Sequence, residues 1–221
     1  EQLGKEPKFV VSPSGIKSRY TDKETSEIFT MVMSGRINKA IVQMLQKNGI
    51  NAIGLSGMDG KTIEANRKKK LMIMNEKGRK QVIDGGYTGK ISNVNSDLIK
   101  TIMDKGYTPV ISPIAISEES EFLNVDGDRA AANVAGHVNA DKVLFITNVD
   151  GLLMEDKLVE KLSLKEAKEI MPKIGFGMEK KILAATEALE MGVTEALIAN
   201  GQKENPISAA IEHNNCTVIT K

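Results

Sequence analysis

The stretch 124–131 combines residue types that could do chemistry with a spacing that would expose them. Its amide, carboxylates and small side chains are Asn124, Asp126, Asp128, Ala130 and Ala131. Small residues let a helix begin close to a neighbouring backbone, so the polar groups before it would face the cleft that the helix borders. A calcium loop is excluded, because the position that closes a twelve-residue loop begun at Asp128 is Asn139 instead of Glu.

Two other segments suit a nucleotide. The turn 147–152 would follow a strand and would offer hydroxyl, amide and backbone groups to a polar ring such as adenine. The segment 175–181 is a glycine loop that runs into a helix, with Lys181 in the first turn. Free amides at a helix start and the ammonium of Lys181 would together favour phosphate. Such a loop alone is more often an ordinary helix cap, so the assignment depends on the other motifs.

The segment 56–62 has the composition of a P-loop but not its spacing. The motif needs a glycine five positions before Gly60, and that position is Leu55. Gly54 is one residue too far upstream and lies inside a predicted strand. Residues 63–65 also predict a strand where a P-loop would run into a helix. We therefore exclude a P-loop here.

Strand patterns alternate with helical patterns along the rest of the chain. The predicted strands are 52–55, 109–113, 143–147, 196–199 and 217–220. The predicted helices are 23–47, 96–105, 128–138, 163–171, 178–191 and 206–214, the first with a capping box of Thr21 and Glu24. This alternation predicts an α/β fold with a mainly parallel sheet sandwiched between helices. Ligands of such sheets lie beyond the carboxyl ends of the strands.

A protruding basic hairpin is predicted at 71–83, with its turn at 75–78. The surrounding segment 67–90 contains eight basic and two acidic residues, a local excess of six in a chain of net charge +1. One interpretation is a solvated sheet edge that lysines protect from aggregation. The other is a docking surface for an acidic partner. Nucleic acid is not the expected partner, because aromatic residues make up only 4% of the chain and form no stacking platform among these charges.

The composition is that of a globular protein with one domain or two lobes, since 41% of its 221 residues are hydrophobic and 27% are charged. The single cysteine, Cys216, lies in an apolar run and is expected in the core. One cysteine suits a reducing cytosol. No apolar stretch approaches the roughly 18 residues of a membrane span, and no leader opens the chain. We therefore expect a cytoplasmic protein without a membrane partner.

Three motifs, in this order, resemble those of the amino acid kinase superfamily. They are Asn124-x-Asp-x-Asp128, Thr147-Asn-Val-Asp-Gly151 and Gly177-Met-x-x-Lys181. The turn 19–22 before a long helix is similar to the substrate-binding arginine turn of the acetylglutamate kinase branch. Within this branch, segments 15–22 and 85–91 look more like the kinases that act on aminoadipate or glutamate carried by the protein LysW. The resemblance runs from near Phe9 to the C-terminus.

The resemblance implies ATP-dependent phosphorylation of a side-chain carboxylate, giving an acyl phosphate in lysine or arginine biosynthesis. Lys181 would neutralise charge on the moving phosphoryl group, and Asp128 would hold Lys181 by a charge-assisted hydrogen bond. The implied substrate-binding residues are Arg19, Asn124, Ser18 and Tyr20. The implied nucleotide-binding residues are Thr147, Asn148, Val149, Gly151, Gly177 and Met178. Magnesium would be held mainly by the ATP phosphates, and no metal ligand is assigned to the protein.

The resemblance also implies an acidic amino-group carrier protein as the partner that bears the substrate, and a homodimer. The implied carrier contacts are Tyr87, Thr88, Lys90, Lys68, Lys69 and Lys70. For these residues, a glycine-rich bend and a solvated edge are the structural alternatives. Residues 1–139 would form the lobe for the amino acid and the carrier, and residues 140–221 the nucleotide-binding lobe of one kinase domain.

Two departures from the family pattern keep other functions open. The N-terminal strand-helix-strand unit with its two glycine loops is expected in the family and is not found in these 221 residues. Position 148 is Asn where acetylglutamate kinases commonly have Asp. The alternatives are a uridylate kinase-like enzyme of the same fold and a non-catalytic carrier-binding module. Glutamate and aminoadipate are not distinguished, because one methylene changes binding by only about 1–3 kcal/mol.

Overall fold

A computed structural model describes residues 4–13, 15, 17–175 and 177–221, without the side chains of Lys17 and Ser18. The chain divides into two compact units, Glu1–Asp126 and Gly127–Lys221. The predicted lobes met after residue 139, and the observed division comes earlier. It falls at the start of a helix that packs within the second unit. The assignment of substrate and nucleotide functions to the two lobes stays a prediction.

The first unit combines short strands with three α-helices in its described part. The strands are β1 (Phe9–Val11), β2 (Lys17–Arg19), β3 (Ala52–Ser56), β4 (Ile63–Arg67), β5 (Lys70–Met74), β6 (Lys80–Asp84), β7 (Gly89–Val94), β8 (Thr108–Ser112), β9 (Ile114–Ile116) and β10 (Phe122–Asn124). The helices are α1 (Lys23–Thr30), α2 (Asn38–Lys47) and α3 (Ser96–Asp104). β3 and β8 form a parallel pair, and the other sheets have the orders β2-β1-β5-β6 and β10-β9-β4-β7.

The predicted helix 23–47 is helical throughout but changes type. A π-helical segment, Met31–Ile37, joins α1 to α2. Ser112 Oγ donates to the carbonyl oxygen of Met33 in this segment at 3.0 Å. The predicted capping box is wrong, because Asp22 is the N-cap and accepts from Thr25 N at 2.9 Å. Thr21 is instead buried, and its hydroxyl accepts a hydrogen bond from Asn124.

The predicted basic hairpin is confirmed. Strands β5 and β6 pair antiparallel from Lys70 opposite Asp84 to Met74 opposite Lys80.

The exclusion of a P-loop also agrees with the structure, because segment 56–62 ends β3, makes one short 3-10 turn and continues into β4. In that turn the carboxylate of Asp59 accepts from the backbone N–H and the hydroxyl of Ser56 at 2.6 and 2.9 Å.

The second unit has a sheet with helices on both faces. Its elements are α4 (Gly127–Val138), β11 (Lys142–Thr147), β12 (Leu153–Met154), β13 (Lys157–Leu158), β14 (Lys161–Ser163), α5 (Leu164–Ile170), α6 (Met178–Glu190), β15 (Glu195–Asn200), α7 (Pro206–Ile211) and β16 (Cys216–Thr220). The sheet order is β11-β15-β16-β14. β11 and β15 pair parallel, as do β14 and β16, whereas β15 and β16 pair antiparallel. The predicted α/β fold is thus confirmed, and the sheet of the second unit mixes parallel and antiparallel pairs.

Alternating side chains of this sheet enter two cores. Phe145 and Ile198 pack on one face with helices α4, α5 and α6. Leu197 and Val218 pack on the other face against α7. Cys216 belongs to this second core and is buried, as predicted, and burial raises the pKa of its thiol. None of the helices in the described residues is long and apolar enough to cross a membrane.

Asn38 links α2 to the parallel strands β3 and β8 by side-chain hydrogen bonds. Its side chain is only 2% exposed. The amide nitrogen Nδ2 lies 2.7 Å from the carbonyl oxygen of Val110 on β8 and 3.1 Å from that of Leu55 on β3. One buried amide therefore bonds to both strands.

We predict that Asn38→Ala lowers the free energy of unfolding by about 1–3 kcal/mol, because the part-buried carbonyl groups of Leu55 and Val110 lose their donor. Asn48→Ala is the matched control, since Asn48 is an exposed residue at the end of α2 and its amide bonds to Met44 O within the same segment. It should change the free energy by less than about 0.5 kcal/mol. Urea denaturation followed by circular dichroism measures both, and equal effects would contradict the role given to Asn38.

Candidate active site

Helices α4 and α6 pack closely because their facing side chains are small. The buried residues of this contact are Ala132, Ala135, Gly136, Ala184, Ala185 and Ala188. A Cβ added to Gly136 would lie 2.6 Å from Cβ of Met191, closer than packed atoms allow. The interpretation of Ala130 as a residue for close packing agrees with its burial, and buried small residues continue along α4. Ala131 is exposed, so for that residue the interpretation is wrong.

This packing brings Asp128 and Lys181 together. Lys181 Nζ lies 2.9 Å from both carboxylate oxygens of Asp128, and the two side chains are 19% and 26% exposed. A lysine in the first turn of a helix meets the positive end of the helix dipole, which is unfavourable unless an anion is near. Asp128 supplies that anion. The predicted hydrogen bond is present, and the catalytic roles of both residues stay predictions.

A second ion pair holds the same two helices. The guanidinium of Arg129 donates to both carboxylate oxygens of Glu187, at 2.9 and 2.6 Å. Bidentate pairs of this kind fix orientation as well as distance. Sequence reasoning did not identify this pair, although Arg129 follows Asp128 directly. Together the two pairs fix the start of α4 against α6.

The turn 147–151 lies at the carboxyl end of β11, as predicted. Thr147 pairs with Asn200 at the end of the parallel strand β15, and the Thr147 carbonyl oxygen accepts from Gly201 N at 2.8 Å. Asn148 is exposed, and its side-chain oxygen lies 3.4 Å from the hydroxyl of Thr147. Val149 is half-buried. The polar residues after two parallel strands thus share one sheet edge.

Asn200 and Lys203 are polar residues of this edge that the sequence prediction missed, and they contact Asp150 of the predicted turn. Asn200 Nδ2 donates to Asp150 at 2.8 Å, and Lys203 Nζ lies 3.5 Å from the same carboxylate. The amide of Asn200, together with Lys203, holds the pKa of Asp150 below its usual value. The available signal was the Asn200-Gly201 pair, which follows a predicted strand just as the Thr147 turn does.

Two of the predicted nucleotide residues have clear structural roles. Gly151 adopts φ +153°, and a Cβ there would lie 2.5 Å from Thr217 Oγ1. The Thr217 hydroxyl accepts from Leu152 N at 2.8 Å, which ties the turn to β16. Gly177 is the N-cap of α6, with φ +102°. Met178 packs partly against the core of the unit.

In the first unit, three predicted segments meet at Thr21. The Thr21 carbonyl oxygen accepts from Tyr87 N at 2.7 Å. Its hydroxyl accepts from Asn124 Nδ2 at 3.2 Å, and Asn124 N donates to Tyr87 O at 2.8 Å. The turn 19–22, the loop 85–88 and Asn124 are therefore neighbours, although 103 residues separate Thr21 from Asn124. Thr88 also forms a parallel bridge with Asn124.

The other predicted substrate residues lie on or next to β2. Arg19 is exposed, with its guanidinium carbon 5.9 Å from the centre of the Phe9 ring. Tyr20 is half-buried, and burial, followed by the nearby carboxylates Asp84 and Asp22, raises the pKa of its hydroxyl. The side chain of Ser18 lies outside the described part of the structure.

The predicted carrier contacts Lys68, Lys69, Lys70 and Lys90 are exposed. Lys69 pairs with Glu119 at 2.8 Å, and Lys70 lies opposite Asp84 in the hairpin. Within the described residues, no group of three or more His, Cys, Asp or Glu side chains is arranged to hold a metal ion.

A model of the Amino acid kinase family matches residues 1–200. The chain belongs to this family. A protein of Nitrosopumilus maritimus, provisionally named LysW-aminoadipate/LysW-glutamate kinase, is 83% identical over 99% of this chain and 82% of its own length. The LysW-aminoadipate/LysW-glutamate kinase of Metallosphaera sedula is 49% identical over 96% of this chain and 80% of its own length.

Solved structures share the fold of this amino acid kinase family member. The N-acetylglutamate synthase of Neisseria gonorrhoeae superimposes with a TM-score of 0.79 at 22% identity. The match covers 100% of this chain and 48% of the synthase. This agreement extends the family assignment to the three-dimensional fold.

Asp22, the last residue of the turn 19–22 that is predicted to bind substrate, has a carboxylate with several hydrogen-bond donors. It accepts from the hydroxyl and the backbone N–H of Thr25, at 2.7 and 2.9 Å, and Lys8 Nζ lies 3.2 Å away. The Thr25 hydroxyl first, then its amide and the two lysines Lys8 and Lys5, hold the pKa of Asp22 far below its usual value. Because the folded state lowers this pKa, ionised Asp22 stabilises the fold above about pH 4 and loses that effect as pH falls.

We predict that Asp22→Asn lowers the free energy of unfolding at neutral pH, and that its difference from wild type shrinks between about pH 5 and pH 2. Asparagine keeps the N-cap acceptor, so the variant isolates the charge. Urea denaturation across this pH range measures the difference. A difference that does not depend on pH would contradict the assignment.

Proposed function

We propose that this protein transfers the γ-phosphoryl group of ATP to the side-chain carboxylate of aminoadipate or glutamate linked to the carrier protein LysW. The names of the relatives at 83% and 49% identity support this substrate class. The observation that carries the proposal is the Lys181 ammonium, held by both oxygens of Asp128 at the start of α6. A fixed cation at a helix N-terminus suits a transferring phosphoryl group.

In the proposed reaction, an oxygen of the substrate carboxylate forms a bond to the γ-phosphorus as the bond from that phosphorus to the ADP oxygen breaks. The products are an acyl phosphate and ADP. A carboxylate nucleophile has no proton to lose, so no general base is needed. The protein acts by positioning and by neutralising charge on the phosphoryl oxygens. Lys181 supplies the charge, and Asp128 keeps its ammonium in place.

Arg19 and Asn124 bind the amino acid in this proposal. The exposed guanidinium of Arg19 forms a bidentate pair with a substrate carboxylate. Asn124 Nδ2 is already bonded to Thr21. We therefore assign the amide oxygen of Asn124 to the substrate, where it accepts from the N–H of the amide that links the amino acid to its carrier. Ser18 and Tyr20 belong to the same turn and complete the proposed substrate set.

The edge formed by the turn 147–151 and Asn200 binds the nucleotide in this proposal, with Gly177 and Met178 at the start of α6. Hydroxyl, amide and backbone groups there suit the polar edge of adenine. ATP brings Mg²⁺, and the ion stays mainly on the nucleotide phosphates.

The carrier meets the basic hairpin and the loop 85–90. The lysines at positions 68–70 attract an acidic protein, and Tyr87, Thr88 and Lys90 contact it beside the substrate turn.

The relatives at 83% and 49% identity favour this kinase function over a uridylate kinase and over a non-catalytic module. A homodimer and a cytoplasmic location remain part of the proposal. The apolar side chains Met31, Ile37, Ile41 and Met44, exposed along one helical segment, support the homodimer.

We predict that Lys181→Ala lowers turnover on the order of a hundredfold or more, while the affinity for ATP changes less, because Lys181 acts mainly on charge in the transition state. Trapping the acyl phosphate with hydroxylamine measures turnover. Lys161→Ala removes an exposed lysine of the same unit and should leave turnover unchanged. Equal turnover of wild type and Lys181→Ala would remove Lys181 from the reaction.

We predict that reversing Lys68, Lys69 and Lys70 to Glu slows association with the carrier-linked substrate and flattens its dependence on salt, because exposed charges act mainly on encounter. Reversal of the exposed lysines at 47, 61 and 105 makes the same change in net charge elsewhere in the unit. Stopped-flow association at low salt compares the two. If both triple variants associate equally fast, the hairpin is only a solvated edge.

A further inference from the structure

Arg67 is a charged residue that the proposed reaction does not use, yet its side chain is only 18% exposed. It ends β4 and makes hydrogen bonds in three directions. Its Nε donates to the carbonyl oxygen of Gly86 at 2.8 Å, and one terminal nitrogen donates to Glu121 at 2.8 Å. The other terminal nitrogen lies 3.3 Å from Asp84 Oδ1. An exposed surface arginine would not show this number of fixed partners.

The same guanidinium stacks on Tyr87. Its central carbon lies 4.2 Å from the centre of the ring. A flat guanidinium can stack on an aromatic face while its edge donates hydrogen bonds in the plane, which an ammonium cannot do. Arg67 therefore fixes both the backbone at Gly86 and the side chain at Tyr87.

The loop 85–88 leaves little room to move on its other side. Gly86 has φ +68°, and an added Cβ would collide with the carbonyl oxygen of Thr21. Tyr87 N donates to that same oxygen at 2.7 Å. The loop is thus held between Arg67 and the turn that precedes α1. Asn124 N bonds to Tyr87 O, which adds the third proposed substrate segment to the same contact.

Asp84 connects this arrangement to the basic hairpin. It ends β6, and its Oδ1 also accepts from Gly86 N at 2.8 Å. Glu121 and Tyr87 line a cavity of about 320 Å³ together with Lys23, Ser26, Glu27, Ser120 and Phe122. Arg67 thus contacts the base of the hairpin, the loop and two residues of a cavity wall.

We propose that Arg67 is a positioning residue that couples docking of the carrier on the hairpin to placement of the tethered amino acid. It holds the loop 85–88 at a fixed distance from Thr21 and Asn124. A carrier bound to the hairpin and the loop therefore presents its tethered amino acid in one position relative to these residues. This inference rests on the proposed function, because it assumes that the substrate arrives on a carrier. Arg67 touches neither the phosphoryl group nor the amino acid.

The test compares Arg67→Lys with Arg36→Lys, an identical change at an exposed arginine of the same unit. Lysine keeps the charge but cannot bond to Gly86, Glu121 and Asp84 while it stacks on Tyr87. We expect Arg67→Lys to raise KM for LysW-linked glutamate on the order of tenfold, as for the loss of a charge-assisted hydrogen bond. kcat and KM for ATP should stay within about twofold of wild type, because the chemical step is untouched.

Hydrogen exchange provides a second readout that needs no substrate. Amides of the loop 85–88 should exchange faster in Arg67→Lys than in wild type, while those of β8 should not change. Unchanged exchange in the loop, or a loss of kcat with unchanged KM for the carrier-linked substrate, would overturn the inference. If wild type fails to phosphorylate LysW-linked glutamate, the proposed function fails, and the exchange experiment still decides whether Arg67 positions the loop.

Discussion

The close packing of α4 on α6 is the constraint on which the second unit depends. Alanines and Gly136 permit it, and the charged pairs Asp128–Lys181 and Arg129–Glu187 fix its orientation. A larger side chain between these helices would separate Asp128 from Lys181, although neither of these two residues would itself be replaced. The position of the Lys181 ammonium is therefore set by apolar packing, and its contact with Asp128 offsets the unfavourable helix dipole.

The first unit depends on a single buried threonine in a comparable way. Thr21 uses its carbonyl oxygen and its hydroxyl to bond the Gly-Gly-Tyr loop and Asn124, which are distant in sequence. Both groups are satisfied inside the protein, so the arrangement keeps its polar atoms paired. This explains why the turn 19–22, the loop 85–88 and the Asn124 motif lie close together.

The sequence predicted what depends on periodicity and short motifs, and it missed what depends on distant side chains. The alternation of strands and helices, the basic hairpin and the family resemblance of the Asp128 and Lys181 motifs all lie in local patterns. The N-cap was placed at Thr21 because Ser, Thr and Asp are similar capping residues, and only the contact with Asn124 shows that Thr21 is used elsewhere. Arg67 and Asn200 belong to no recognised motif, and the groups to which their side chains donate are at least 17 residues away.

The π-helical segment Met31–Ile37 lets the two halves of the long helix bond to different strands of the first unit. Ahead of it, Ser26 of α1 bonds to Phe122 O of β10, and after it Asn38 of α2 bonds to β3 and β8. A π turn takes up more residues per turn than an α turn, so it rotates one half of the helix relative to the other. The carbonyl oxygen of Met33 in this segment accepts from the backbone N–H of Asn38 and from the hydroxyl of Ser112. Deletion of one residue here would restore a regular α-helix, and only one of its two halves could then keep its hydrogen bonds to the strands.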